Sequence, residues 1–329
     1  MADKKPTIYD VAKLASVSLA TASRVINGID KVSSDTKQRV LDAIKQLNYK
    51  PNSIAVELAS KRNANVAIIV PEINYTYISN VISGLMEEAN EHGYDCLIFT
   101  TKGSKKDISN TISKVLSLRV NGVIIFNDSL TEEELEELVH FDVPVVTLGT
   151  DLKTISSVSW HYKTEITNLV SSALQRNKEI YFLSVEGSGI IEQRVIKGIK
   201  EAFVQNGKEF NNIIELKDSY KETYNKIKEI IPNLPNCLFI STRDSIALAA
   251  LNAALDLNLS VPNDYEFMAM IGTKYSELSR PKLSSFSVDM RTLGKTGMNV
   301  LAELIENDNN ELITKKLSFN YVKRGSTLQ

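Results

Sequence analysis

The chain has 329 residues, 43% of them hydrophobic and 24% charged, an ordinary globular composition long enough for two or three domains with cores of their own. Net charge is −2, but residues 1–63 hold 11 Lys+Arg against 6 Asp+Glu while the remainder holds 27 against 34, so a basic head that fits nucleic acid precedes an acidic body that does not. No N-terminal stretch has signal-peptide character and no apolar run approaches membrane-spanning length, which argues against secretion or a membrane partner and gives a cytoplasmic expectation.

Residues 7–28 (TIYDVAKLASVSLATASRVING) read as two short helices joined by a tight turn. Ile8, Val11, Ala12 and Ala15 fall at i, i+3, i+4, i+7 and share one apolar face. The break is Ser16-Val17-Ser18, and Ser18 is placed to cap the second helix. That helix carries Ala22, Val25 and Ile26 inward and leaves Leu19, Ala20, Thr21, Ser23 and Arg24 outward. A helix start with small and hydroxylic side chains approaches a groove edge closely, and a forked Arg pairs bidentately with guanine. The spacing by itself also fits a purely structural helical hairpin.

A third helix is capped by Ser33-Ser34-Asp35 and stopped by Asn48 and Pro51. Val40, Leu41, Ile44 and Leu47 form its expected inner face, and Lys37, Arg39 and Lys45 stay outside, where phosphates can be met. Residues 51–66 read as a linker with a short helix from Asn52 through Leu58, too short to stand alone, that folds when something orders it.

From Val66 the pattern changes to apolar strands alternating with amphipathic helices. VAIIV is followed by a helix whose face is Ile78, Val81, Ile82, Leu85, Met86 and Ala89, ended by Gly93. DCLIFT, a helix at residues 112–118, GVIIF, a helix from Thr131 and VPVVTLG continue the series. After Ser157 it restarts: a helix at 166–174, IYFLS, a helix at 191–203, IIEL, a helix at 220–230, CLFIS, a helix at 246–257 and EFMAM. Continuous apolar strands between helices predict parallel sheets covered on both faces, here two doubly wound lobes with a ligand cleft at the strand C-termini. A last helix at 293–305 and the strand LSFNYV cross back between lobes, and Gly294 and Gly297, one turn apart, allow close helix packing.

Cys96 and Cys237 sit in strand-like runs and read as small buried hydrophobes. The three histidines, His92, His140 and His161, form no metal-ligand pattern. Gly187-Ser188-Gly189 lacks the GxSxG spacing of a hydrolase, and no phosphate-cradling glycine motif follows a strand. The expectation is therefore a protein without enzymatic activity, cofactor or metal.

Three segments, TIYDVAKLASVSLATASRVING, VSSDTKQRVLDAIKQLNYKPN and PNSIAVELASK, resemble the LacI/GalR family of transcriptional regulators, and weaker family-like pieces are NGVIIF, VPVV, LSVPNDYE and RPKLSSF. The Leu-Ala pair at 19–20 and the ELASK linker look most similar to the catabolite control protein A branch in low-GC Gram-positive bacteria. The resemblance covers essentially the whole chain. It implies an all-α helix-turn-helix headpiece at 1–50, a hinge at 51–63 and a periplasmic-binding-protein-like effector and dimerisation domain at 64–329. Lobe one would take about 64–158 and 290–318, lobe two about 159–289 and 319–329.

It further implies a homodimer that binds a palindromic operator, represses carbohydrate or other catabolic genes and answers allosterically to a small molecule or partner protein. The base-reading positions correspond to Leu19, Ala20 and Arg24, and positioning roles fall on Thr7, Tyr9, Ser18, Thr21, Ser23 and Asn27. Leu58 corresponds to the hinge leucine that wedges into a base step.

The departures matter as much. The hinge reads Ala55-Val56-Glu57-Leu58 where the family often has Ala-Arg-x-Leu, which loses a cation near phosphates; Lys61 and Arg62 compensate in part. An alternative reading is therefore a small-molecule receptor of the same fold whose DNA readout is lost or weakened. In the cleft, the expected Arg is Val195, with Arg194 beside it pointing elsewhere, and the usual Asn-Asp is Arg243-Asp244. Lys274 and His161 stand where the family has aspartates. The effector residues implied are Tyr75, Tyr77, Trp160, His161, Arg243, Asp244 and Lys274, and the added cations suit an anionic ligand. Phosphorylated HPr, a partner known for this branch, is disfavoured because its matching positions are Asn299 and Glu303, and an acidic Glu303 repels phosphate.

Overall fold

The structure is a computed structural model, described over residues 6–26, 32–49, 65–101, 105–127, 143–160, 163–186, 189–307 and 311–328. The chain divides into two units, residues 1–64 and 65–329.

In the first unit, α1 (Ile8–Leu14), α2 (Leu19–Ile26) and α3 (Ser34–Leu47) enclose a small core. Val11, Ala15, Val25, Val40 and Ala43 fill it, with Val17, Ile44, Leu47 and Tyr49 packed around them. The Ser33 hydroxyl accepts the Thr36 N–H, and Asn48 ends α3 in the left-handed region at φ 47°. Two expectations are corrected. Leu41 is 43% exposed, and Ala43 takes the inward place, because Val40, Ala43, Ile44 and Leu47 follow the i, i+3, i+4, i+7 rows while Leu41 lies 100° away. Arg39 does not stand free for a phosphate: it donates to the Ala15 carbonyl (3.3 Å) and pairs with Asp35 (3.3 Å), tying α3 to the end of α1.

The second unit holds two six-stranded sheets. The first contains β1 (Asn65–Val70), β2 (Asp95–Thr100), β3 (Gly122–Ile125), β4 (Val145–Leu148), β5 (Ser156–Trp160) and β11 (Thr314–Leu317), in the order β11-β5-β4-β3-β1-β2 with every pair parallel. The second contains β6 (Glu179–Val185), β7 (Ile213–Leu216), β8 (Cys237–Ser241), β9 (Tyr265–Ala269), β10 (Ser284–Ser287) and β12 (Asn320–Val322), in the order β12-β10-β9-β8-β6-β7. Only the β10–β12 pair is antiparallel. Strands such as VAIIV and CLFIS are buried along their whole length because helices cover both faces. DCLIFT is an edge strand, so its residues are half-buried or exposed, Cys96 among them.

The covering helices are α4 (Thr76–His92), α5 (Lys105–Ser117), α6 (Lys163–Gln175), α7 (Ile190–Gln205), α8 (Tyr220–Ile230), α9 (Asp244–Asp256), the short α10 (Lys274–Leu278) and α11 (Met290–Asn307). Met86, expected inward on α4, is 46% exposed, and Gly84 is buried instead. The reason is the approach of α11: a Cβ on Gly84 would lie 2.1 Å from the Arg291 carbonyl oxygen, and one on Gly294 would lie 2.2 Å from that of Val81. LSFNYV is not one strand; its halves join different sheets as β11 and β12, so the chain crosses between lobes at Ser318-Phe319. The short helix α10 and strand β10 have no counterpart in the sequence reading. The helix expected from Thr131 and the linker 51–63 lie outside the described residues.

Candidate functional site

Two surfaces carry the candidate residues. The first is the start of α2. Ser16 turns the chain with φ 52°, and the Val17 N–H donates to the Ala12 carbonyl (3.0 Å), which closes α1. The Ser18 hydroxyl accepts the Thr21 N–H (3.1 Å) and shares a bond with the Thr21 hydroxyl (2.9 Å). Ala22 and Val25 are buried, so Leu19, Ala20 and Arg24 face solvent, with Thr21 and Ser23 half-buried beside them. Tyr9 is 69% exposed. Thr7 is engaged in capping α1: its hydroxyl (2.7 Å) and its N–H (2.8 Å) both donate to the Asp10 carboxylate. Asn27 and Leu58 lie outside the described residues.

The second surface is the cleft of the second unit, at the C-terminal ends of the strands. β1 leads to Tyr75 and Tyr77, β5 ends at Trp160, β8 leads to Thr242-Arg243, and α7 begins with Glu192 in its first turn. An open cavity of about 610 Å³ is lined by Tyr77, Phe126 and Trp160 on one side and by Ile191, Glu192 and Arg243 on the other, with Met270 and Met290. A second hollow of about 430 Å³ shares Tyr77 and Arg243 and runs past Asp244 to Tyr275.

Arg243 is the centre of an ionic cluster. It forms an ion pair with Asp218, donates to the Tyr75 hydroxyl (3.0 Å), and lies 4.9 Å from the centroid of the Tyr75 ring. The Tyr75 hydroxyl donates to Asp218 (2.7 Å), and Tyr75 stacks on Tyr77 at 5.5 Å. Burial would lower the Arg243 value, but the charge and hydrogen bond of Asp218 outweigh it and leave the guanidinium firmly protonated. Burial, then the bond to Asp218, raises the Tyr75 phenol. Tyr75 belongs to the lobe of the first sheet, Asp218 and Arg243 to that of the second, so the cluster ties the lobes together.

Tyr75, Tyr77, Trp160 and Arg243 thus meet at one cleft. Two of the other three expected residues, Asp244 and Lys274, are placed differently from the expectation. Asp244 reaches the cleft wall, yet its carboxylate is taken by the Gly272 N–H (3.1 Å), the Thr273 N–H (3.0 Å) and the Ser276 hydroxyl (2.8 Å). Burial raises its carboxyl value against these bonds, and its work is to hold the turn before α10. That turn, with Gly272 at φ 76° and Thr273 as cap, directs Lys274 to solvent, where it sits 5.9 Å from the ring centroid of Tyr275. His161 lies outside the described residues.

Of the residues behind the anionic-ligand expectation, Arg243 is paired with Asp218 and Lys274 is exposed to solvent. Sequence reasoning missed Asp218 and Glu192. Each follows a strand C-terminus, the position where such folds place ligand contacts, and that was the available signal. Val195 is core, and Arg194 donates to the Asp151 carbonyl (3.2 Å) away from the expected ligand position.

Known proteins resemble both parts of the chain. Residues 7–52 match the model for bacterial regulatory proteins of the lacI family, and residues 175–327 match a periplasmic binding protein-like domain. The chain is 30% identical to catabolite control protein A of Staphylococcus aureus strain N315 over 326 residues, covering 98% of this chain and 99% of that one. It is 31% identical to the same protein of Staphylococcus epidermidis, with the same coverage. The chain belongs to the lacI family. It is a DNA-binding transcriptional regulator. Among solved structures, the lac repressor dimer bound to operator and the anti-inducer ONPF has a TM-score of 0.86 at 24% identity, covering 99% of this chain and 100% of that one. The CelR–cellobiose complex has a TM-score of 0.70 at 23% identity, covering 98% and 99%. These two likenesses concern the fold of this lacI-family chain.

Proposed function

We propose that this lacI-family regulator binds a palindromic operator as a homodimer and represses carbohydrate or other catabolic genes, under the control of a small molecule held in the lobe cleft. The observation that carries the reading is the start of α2. Its Ser18 cap and buried Ala22 and Val25 leave Leu19, Ala20 and Arg24 as a rigid exposed edge of groove-reading shape. In this reading Leu19, Ala20 and Arg24 contact bases, while Tyr9, Thr21, Ser23 and Asn27, with the capped Thr7 and Ser18, set the headpiece against phosphates. Leu58 is the minor-groove wedge.

Phosphorylated HPr is not the corepressor in this reading. Glu303 is exposed, Asn299 is bonded to His92 (2.8 Å), and the cations at the start of α11, Arg291 and Lys295, both bind Glu87 of α4 (2.5 Å each). Those two hydrogen bonds, Lys295 first, hold the Glu87 carboxyl below its usual value, so neither cation is spare for a phosphoryl group.

Analytical ultracentrifugation with a bound duplex tests the assembly: two chains per duplex are expected, and one chain per duplex overturns the dimeric reading. Leu58→Ala should reduce DNA bending in a gel-phasing assay; unchanged bending removes the wedge role.

A further inference from the structure

Glu192 occupies an unusual place in the cleft. It is 4% exposed and lines the 610 Å³ cavity. Three donors converge on its carboxylate: the Ser184 hydroxyl (2.5 Å), the Val185 N–H (3.3 Å) and the Thr242 hydroxyl (3.1 Å). A carboxylate only accepts, and it sits in the first turn of α7, where the helix end favours a negative group. Yet no Lys, Arg or His among the described residues pairs with it; Arg243, on the same cavity, is taken by Asp218. Among the described residues, the cleft wall thus holds a buried acidic group with no counter-charge.

The rest of the wall points the same way. Tyr77 and Phe126 meet edge to face at 6.0 Å. Phe126 and Trp160 converge at Gly149, where a Cβ would lie 3.3 Å from each. Ile191, Met270 and Met290 supply further apolar surface. Aromatic walls with one carboxylate are the pairing that attracts a cation, through the negative ring faces and a charge-assisted hydrogen bond.

We infer that the cleft recognises an organic cation with an apolar or aromatic body, its N–H group on Glu192 and its body against Tyr77, Phe126 and Trp160. This rests on the cleft being the effector site, and it replaces the anionic ligand expected from the sequence.

Isothermal titration of the full chain with three probes that share a 2-phenylethyl body tests it: 2-phenylethylammonium, 2-phenylethanol and 3-phenylpropionate, with glucose 6-phosphate as the anionic sugar. The chain has one tryptophan, Trp160, so its fluorescence shows whether a probe enters the cleft. The ammonium probe should bind about tenfold or more tightly than the alcohol, as expected for a charge-assisted bond over a neutral one. The carboxylate and the sugar phosphate should bind weakest. Glu192→Gln should erase the ammonium preference and keep the alcohol affinity. Tyr77→Leu, which leaves the Glu192 contacts in place, should weaken the ammonium probe more than the alcohol. Equal binding of ammonium and alcohol overturns the cation assignment while leaving the cleft as an effector site. Tightest binding of either anion, or an ammonium preference that survives in Glu192→Gln, also overturns it. No Trp160 response to any probe at millimolar concentration removes both the assignment and the effector reading of the cleft.

Discussion

Asp218→Ala strips the counter-ion from Arg243, whose side chain is 17% exposed, and removes the acceptor of the Tyr75 hydroxyl. Hydrogen bonds to charged groups contribute roughly 1.5–3 kcal/mol each, and an orphaned buried charge adds a penalty of its own. Asp218 is itself 37% exposed, so solvent screens part of this, and the expected loss is about 2–3 kcal/mol. Arg243→Met removes the charge together with its need for a partner and should cost about 1 kcal/mol or less. The double variant should then lose only about 1 kcal/mol, as Arg243→Met alone does, a coupling of about 2–3 kcal/mol. Urea unfolding followed by Trp160 fluorescence measures all four forms at unchanged m-value. Because Tyr75 and Asp218 come from different lobes, small-angle scattering should also show Asp218→Ala more open. A loss under about 0.5 kcal/mol, or additive losses in the double variant, would refute the claim that the arginine depends on this carboxylate.

Arg24→Ala should weaken operator binding by about 1–3 kcal/mol and relax discrimination at one guanine per half-site; equal weakening on every sequence would make Arg24 a phosphate contact. Gly294→Ala places a Cβ 2.2 Å from the Val81 carbonyl oxygen and must push α11 off α4, with an expected loss of about 1–3 kcal/mol in urea unfolding; a neutral result contradicts the close approach. Asp289 caps α11, and hydrogen bonds from the Thr292 N–H and hydroxyl hold its carboxyl below the usual value. A folded value below the unfolded one stabilises fully above the unfolded value and is lost as pH falls through the folded one. Asp289→Ala should therefore be about 1 kcal/mol less stable at neutral pH, with the difference vanishing in acid; a difference independent of pH contradicts the ionised cap. Burial pushes the Cys237 thiol up to about 12 and that of Cys96 to about 11, so both should label slowly in the native chain at neutral pH, and fast labelling of Cys237 would contradict its burial.

The parallel strands were legible because a strand covered on both faces must be apolar at every position, as in CLFIS and VAIIV. The headpiece was legible through its caps, since Ser18 and Ser33 each serve an N–H three residues on, a purely local event. Face membership at stripe edges was not: Leu41 and Met86 are apolar residues turned outward, and their places are decided by neighbouring helices. LSFNYV is one apolar pattern locally, and only the two sheets divide it. In the cleft, Tyr75, Tyr77, Trp160 and Arg243 could be located, but their charge balance could not. Asp218 lies 143 residues from Tyr75 and cancels the cation that suggested an anionic ligand, while Glu192 is given its setting by Ser184, Val185 and Thr242.

The most direct measurement is selection of bound sequences from random duplex DNA by the full chain, repeated at several salt concentrations. The account predicts a palindromic site with a flexible pyrimidine–purine step at its centre, whose affinity falls with salt while its sequence preference persists. Binding that shows no sequence preference at any salt concentration would contradict it and leave a small-molecule receptor of the same fold.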